Sequence, residues 1–179
     1  MTTAVRPRID RNVAEYVDAY VHGWAHSRRA PRPRAVEHGW YVPTGTATEP
    51  ERYVLTSGCA EDVRAVRQSL TEPGSCLKFA GTRRDWLWLV DAEWEENPVG
   101  WFMTRGIDGD GDLVSPLGRL SRPAVTDNVA ELTIEQDGQI IASGRAGLAG
   151  TWAIPDRIRT SPQHRRRGLG RFVMRGLLN

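Results

Sequence analysis

Lysine is almost absent: Lys78 is the only one among 24 basic residues. Every other positive side chain is therefore a guanidinium, the group suited to bidentate contacts with phosphate and carboxylate. Cysteine is nearly as scarce. Cys59 and Cys76 are the whole complement, and neither sits in a CxxC pair. That argues against a disulfide framework or a thiolate metal site, and it makes the reduced cytosol the default compartment. No apolar run is long enough to span a bilayer, and the N-terminus lacks the apolar core of a signal peptide. A cytoplasmic protein with no membrane partner is expected. One-sided charge is missing too: the formal net charge is +2, too small for global electrostatics to argue for nucleic acid.

What remains is an ordinary globular composition, with 40% hydrophobic and 26% charged residues in 179. That suits one domain, or one domain with an N-terminal extension. The seven Trp are an excess, and so large a side chain can supply much of a core from a short segment.

Asp10 can cap a helix running to about Arg29, with Val13, Val17, Tyr20, Val21 and Trp24 on one face. Pro31 and Pro33 end it. Trp40 to Val42 and Tyr53 to Thr56 read as short strands separated by a Pro/Thr-rich loop. A second helix starts near Ser57, Glu61 and Asp62 and buries Val63, Val66 and Leu70. Cys76 to Ala80 reads as a strand after the Pro73-Gly74 turn. The apolar run from Asp85 to Val90 fits helix or strand equally. Val99 to Thr104 reads as a strand, and residues 105 to 123 as a loop or linker. From Asn128 a strand carries Val129, Leu132 and Ile134. Asp137-Gly138 is a two-residue hairpin signal, and Gln139 to Ala146 returns. Thr151 to Thr160 is a further extended segment, in which Pro155 implies a bulge, an edge position or a late start. A basic, glycine-containing turn and a helix from about Gly168 to Leu178 complete the chain.

That last stretch carries the chemistry. A helix start offers unpaired backbone N–H groups and a partial positive charge. Glycine lets a phosphate approach that backbone closely, and neighbouring arginines add charge-assisted bonds. Arg165-x-x-Gly168-x-Gly170, preceded by a strand with Ile158 and Thr160 and followed by Phe172-Val173-Met174 on a helix, resembles the R/Q-x-x-G-x-G/A signature of GNAT N-acetyltransferases. The Asn128 to Ala146 hairpin resembles the strands that precede that signature. The resemblance covers about residues 125 to 179.

The resemblance implies acetyl-CoA as cosubstrate and a small-molecule or peptide amine as acceptor. Backbone groups of Ile158, Arg159 and Thr160 would pair with the pantetheine amides as an added strand does. The turn of Arg165, Arg166, Arg167, Gly168, Leu169, Gly170 and Arg171 would hold the pyrophosphate. A base must deprotonate the amine before it attacks, because an ammonium has no lone pair. Asp156, Glu131 and Glu135 are the candidates. Asp156 shares a face with Ile158 and Thr160 if the strand is regular, and Glu131, Thr133 and Glu135 share a face of theirs. Enzymes of this family continue with another strand, a helix and two final strands, a part that usually supplies a Tyr as general acid. Here nine residues follow Gly170, and no Tyr follows Tyr53. The expectation is thus an α+β fold: a GNAT-like mixed, mostly antiparallel sheet flanked by helices, truncated at its C-terminus, with a homodimer or a completing partner chain as ways to cover it. Residues 1–120 form a Trp-rich helix and strand region, and residues 121–179 a partial acetyl-CoA-binding domain.

Other patterns compete less well. Arg165 to Arg167 could be a polyanion patch, but the glycine spacing favours a cofactor phosphate over a duplex backbone. Asp108, Asp110 and Asp112 have calcium-loop spacing, yet Leu113 stands where glycine is needed and Arg119 where the acidic ligand is needed. His22 and His26 have zinc-ligand spacing on a helix without a third ligand. No metal is expected.

Overall fold

The computed structural model describes residues 13–56, 59–79 and 124–178, with isolated positions between 88 and 120. Among them are three α-helices: α1 (Val13–Arg28), α2 (Ala60–Ser69) and α3 (Leu169–Leu177). Nine strands alternate with them: β1 (Arg34–Val36), β2 (Gly39–Thr46), β3 (Glu49–Leu55), β4 (Cys76–Lys78), β5 (Arg119–Leu120), β6 (Ala124–Thr126), β7 (Val129–Gln136), β8 (Gln139–Ala149) and β9 (Trp152–Thr160). The fold is α+β and mostly antiparallel. The expected single sheet is two. The first has the order β1-β2-β3-β4, with a parallel β3/β4 pair. The second runs β5-β7-β8-β9, with β6 also on β7.

The two sheets stay apart because α1 lies between them. Val17, Val21, Trp24 and Ala25 form one stripe, packed with Val42 and Val54 of the first sheet and flanked by Val13 and Tyr20. This is the stripe read from helical spacing. Tyr16, Gly23, His26 and Ser27 form an adjoining stripe against the second sheet. Tyr16 meets Trp152 edge to face, His26 Nδ1 lies 2.6 Å from the Leu148 carbonyl, and Gly23 abuts Gly147 and Ile154. Residues on both sides of position 120 thus build the layers around the second sheet.

Strand alternation orders the remaining layers. On β3, Val54 faces α1, while Leu55 joins Val63 and Val66 of α2 on the other side, with Leu70 and Tyr53 beside them. In the second sheet, Ala130, Leu132, Ile134, Ala142 and Ala146 pack on Leu169, Val173 and Leu177 of α3. The order through the molecule is α2, first sheet, α1, second sheet, α3. Gly144 makes room for α3, since a methyl there would lie 2.6 Å from Val173.

Several local expectations hold. Asp137 (φ 51°) and Gly138 (φ 75°) form the left-handed pair that closes the β7–β8 hairpin. Other local readings change. The supposed loop after Val42 is strand almost to the turn, because the Thr44 and Thr46 hydroxyls donate to the Glu49 carbonyl and close a tight hairpin. Ahead of the strand expected from Asn128, which is present as β7, an unexpected strand β6 pairs with it through a turn at Asp127 (φ 49°) and Asn128 (φ 62°). Within the proposed linker, Arg119–Leu120 pairs with β7. The described residues between 99 and 104 carry no strand. Most of the Asp85–Val90 run and the Asp108–Asp112 repeat lie outside the described residues.

Candidate functional site

The strand–turn–helix segment expected at the C-terminus is present. Among the described residues β9 is an edge strand, paired on one side with β8, so the backbone groups of its other edge have no strand partner among them. It runs through Ser161 into a short 3-10 turn at Pro162–His164 and then into α3. Ser161 N–H donates to the Ile141 carbonyl, His164 N–H donates to the Ser161 carbonyl, and the Ser161 hydroxyl and His164 Nδ1 are 2.7 Å apart. These bonds fix the turn before the basic run begins.

Arg166 (φ 61°) and Gly168 (φ 78°) are left-handed, and Gly168 caps α3. The first bond inside the helix is Phe172 N–H to the Gly168 carbonyl. The N–H groups of Leu169, Gly170 and Arg171 therefore have no acceptor within the helix. Gly168 has no side chain with which to cap this end, and the first turn holds no acid. Buried Leu169, Val173 and Leu177 anchor the helix, while Arg165, Arg166, Arg167 and Arg171 are exposed around its start. Cations here oppose the helix dipole, so the arrangement favours an anion. Gly170 lies against β9: a methyl on it would be 3.6 Å from Thr160 Oγ1 and 3.8 Å from Ile158 Cγ2. The expected cofactor residues of β9 and of the helix start are thus brought together. A cavity of about 300 Å³ lies close by, lined by Ile140 to Ser143 and Arg159 to Ser161.

The candidate bases are placed elsewhere. Between the Ser143↔Arg159 and Arg145↔Asp156 pairs, β9 has one residue more than β8. This is a β-bulge, with Arg157 at φ 52°. It reverses the alternation. Ile154 and Asp156 face α1, whereas Ile158 and Thr160 face α3. The regular-strand reading that put Asp156 with Ile158 and Thr160 is corrected by this extra residue. Pro155 signals the irregularity, and both the edge position and the bulge it allowed are present.

Asp156 is enclosed by partners. Arg28 Nε and Nη2 donate to its two oxygens at 2.8 and 3.2 Å, and the Ser27 hydroxyl donates at 3.0 Å. Burial pushes the carboxyl up, but Arg28, the Arg157 amide and Ser27 outweigh it and hold the group below the usual carboxylate range. Glu131 lies 2.8 Å from Arg145 Nε and 3.4 Å from Arg29 Nη2. In register, Glu131, Arg145 and Asp156 form a row across β7, β8 and β9, with Arg28, the last residue of α1, and Arg29 just after it above the row. Glu135 is exposed near the far end of β7. Sequence reading missed this row and its partners Ser27, Arg28 and Arg145. Ser27 and Arg28 lie more than a hundred residues from the row, and no local spacing announces the arrangement.

His22 bonds the Asp18 carbonyl and meets the Trp40 ring edge to face, while His26 turns to Leu148. Among the described residues no three His, Cys, Asp or Glu side chains converge as a metal site requires. Among the described residues Cys59 and Cys76 form no disulfide, and no described helix is long and apolar enough to cross a membrane. No family model, curated protein or solved structure matches the chain.

Proposed function

We propose that the chain binds acetyl-CoA along β9 and at the start of α3, and serves as an N-acetyltransferase that passes the acetyl group to a small-molecule or peptide amine. One observation carries the reading. An edge strand leads directly into a helix start that has three N–H groups without helical acceptors, a left-handed glycine, four arginines and no acid. A pyrophosphate is the anion suited to such a turn, and an extended amide chain suits a strand edge. Residues Ile158 to Thr160 would hold the amide-bearing arm, and residues Arg165 to Arg171 the phosphates. The acetyl-CoA thioester supplies the acyl group. The protein's own task is to orient the amine and accept its proton.

That last step favours a second reading, in which the chain binds CoA without turnover or gains its base from a partner chain or a second copy. Asp156 and Glu131 are both engaged by guanidinium groups, and a carboxylate so held is a weak proton acceptor. Calorimetric titration of the purified chain with acetyl-CoA, beside a Gly168→Glu variant, tests the shared cofactor site. Saturable binding that the variant loses supports it; a folded wild-type chain that does not bind removes it. A screen of amines with mass-spectrometric detection of the acetylated product then separates transfer from binding alone.

A further inference from the structure

The Arg157 bulge needs an explanation. A non-glycine residue rarely holds φ near +50° unless its surroundings impose it, and the extra residue of a bulge leaves a ladder N–H without its strand partner. The bulge falls at Arg157, directly after Asp156 in the chain. The Asp156 carboxylate is held by Arg28 and by Ser27. Ser27 is fully buried, and its hydroxyl is shared with the Trp24 carbonyl at 2.8 Å. The last turn of α1 therefore grips β9 one residue before its side chains change faces. Arg145 of β8 is in register with Asp156 and completes the charged surroundings, itself tied to Glu131.

We infer that Asp156 is a positioning residue: with Ser27 and Arg28 it locks the bulge at Arg157, which turns Ile158 and Thr160 toward α3 and sets the strand beside the helix start. In a regular strand, residues 156, 158 and 160 would all face α1. Ile158 would then leave the core that it shares with Val173 and Leu177, and Thr160 would leave Gly170. The inference rests on the acetyl-CoA reading for its function, and on β9 alone for its geometry. It gives Asp156 a role other than proton acceptor. A base must release its partners to take a proton, whereas a lock works only while it keeps them.

Two measurements on Asp156→Ala decide it. Amide hydrogen exchange at Arg157 should quicken by about tenfold or more, as expected when the charged hydrogen bonds from Ser27 and Arg28 that hold the bulge are lost, while the amides of Leu132 and Ile134 keep their protection. Acetyl-CoA affinity should weaken by a similar factor. Arg28→Ala, which leaves the carboxylate in place, should move both readouts the same way and less far; it serves if Asp156→Ala does not fold. Unchanged exchange at Arg157 overturns the lock whether or not acetyl-CoA binds. Full acetyl-CoA affinity with acetyl transfer abolished identifies Asp156 as a base and overturns the positioning role. If the wild-type chain fails to bind acetyl-CoA, the cofactor reading falls, and the exchange measurement alone supports or overturns the lock.

Discussion

Gly23 of α1 and Gly147 of β8 meet so closely that a methyl on Gly147 would sit 1.7 Å from the Gly23 carbonyl oxygen. Backbone lies on both sides, so no side-chain rotation can relieve the contact. Gly147→Ala is therefore expected to push α1 off the second sheet and cost about 3 kcal/mol or more. A methyl on Gly23 would strike Ile154 Cγ1 at 2.3 Å and the Gly147 carbonyl at 2.9 Å. Ile154 can give way in part, and alanine recovers up to about 1 kcal/mol of helix propensity. Gly23→Ala should thus be the milder of the two. Thermal melting checks the order: Gly147→Ala should lower Tm by roughly 6 °C or more in a chain of this size, and Gly23→Ala by less.

Arg52 lies beneath the opposite side of α1. Its guanidinium stacks 4.1 Å from the Trp24 ring centroid, and Glu49 holds it through two bonds of 2.6 and 2.8 Å. Only 7% of the residue is exposed. Arg52→Met keeps an apolar stem on Trp24 but strands Glu49, which can rehydrate because it is partly exposed. Arg52→Ala loses the stem as well. The expected losses are roughly 1–2 kcal/mol for Met and 3 kcal/mol for Ala. Denaturant unfolding followed by tryptophan fluorescence reads both.

These two contacts mark what was legible in the chain. The Val13, Val17, Tyr20, Val21 and Trp24 stripe stood out because large apolar residues recur at helical spacing. The second stripe of α1 did not, since beyond Tyr16 it is made of Gly23, His26 and Ser27, and small or polar residues leave no hydrophobic period. Asp137-Gly138 announced its hairpin because the turn chemistry is local. Three-residue strands such as β1 and β6 are too short to alternate. The segment from Ser161 to Gly170 was readable because its groups are contiguous in sequence. The row of Glu131, Arg145 and Asp156 under Arg28 and Arg29 was not, because only tertiary packing assembles it. Pro155 warned of an irregular strand without saying where the extra residue would fall, and that location decides which way Asp156 faces.

The Asp156 lock carries a pH dependence with a definite sign. Its carboxyl titrates below the ordinary value of 3.8 in the folded protein. Between the two values the unfolded chain binds the extra proton, so stability rises with pH there. The contribution is complete above about pH 5 and drains away as the pH falls through 3.8 toward the folded value. Screening at the half-exposed Arg28 limits it to on the order of 1 kcal/mol. Asp156→Asn removes this titration. Acid unfolding curves of the wild type and of Asp156→Asn should therefore converge as the pH drops below 4 and separate near neutrality; a constant gap across that range contradicts the assignment.

Gly168 and Gly170 belong to one signature but should answer differently to alanine. Gly168 holds φ 78° with nothing within 4 Å of an added methyl. Its substitution costs backbone strain of about 1 kcal/mol and no clash, and Gly168→Asn should cost less, since asparagine tolerates the left-handed region. Gly170 has helical geometry, and its added methyl makes ordinary contacts with Thr160 and Ile158. There alanine should be neutral or stabilising by up to about 1 kcal/mol. If the turn binds phosphate through its backbone, acetyl-CoA affinity should follow the same order. Gly168→Ala tilts the N–H groups away and weakens binding, whereas Gly170→Ala, whose methyl points at β9, leaves it nearly intact. Paired melting and calorimetric titrations of the two variants test both halves. Equal loss of affinity in both would mean that crowding beside Thr160, rather than the left-handed cap, governs the site.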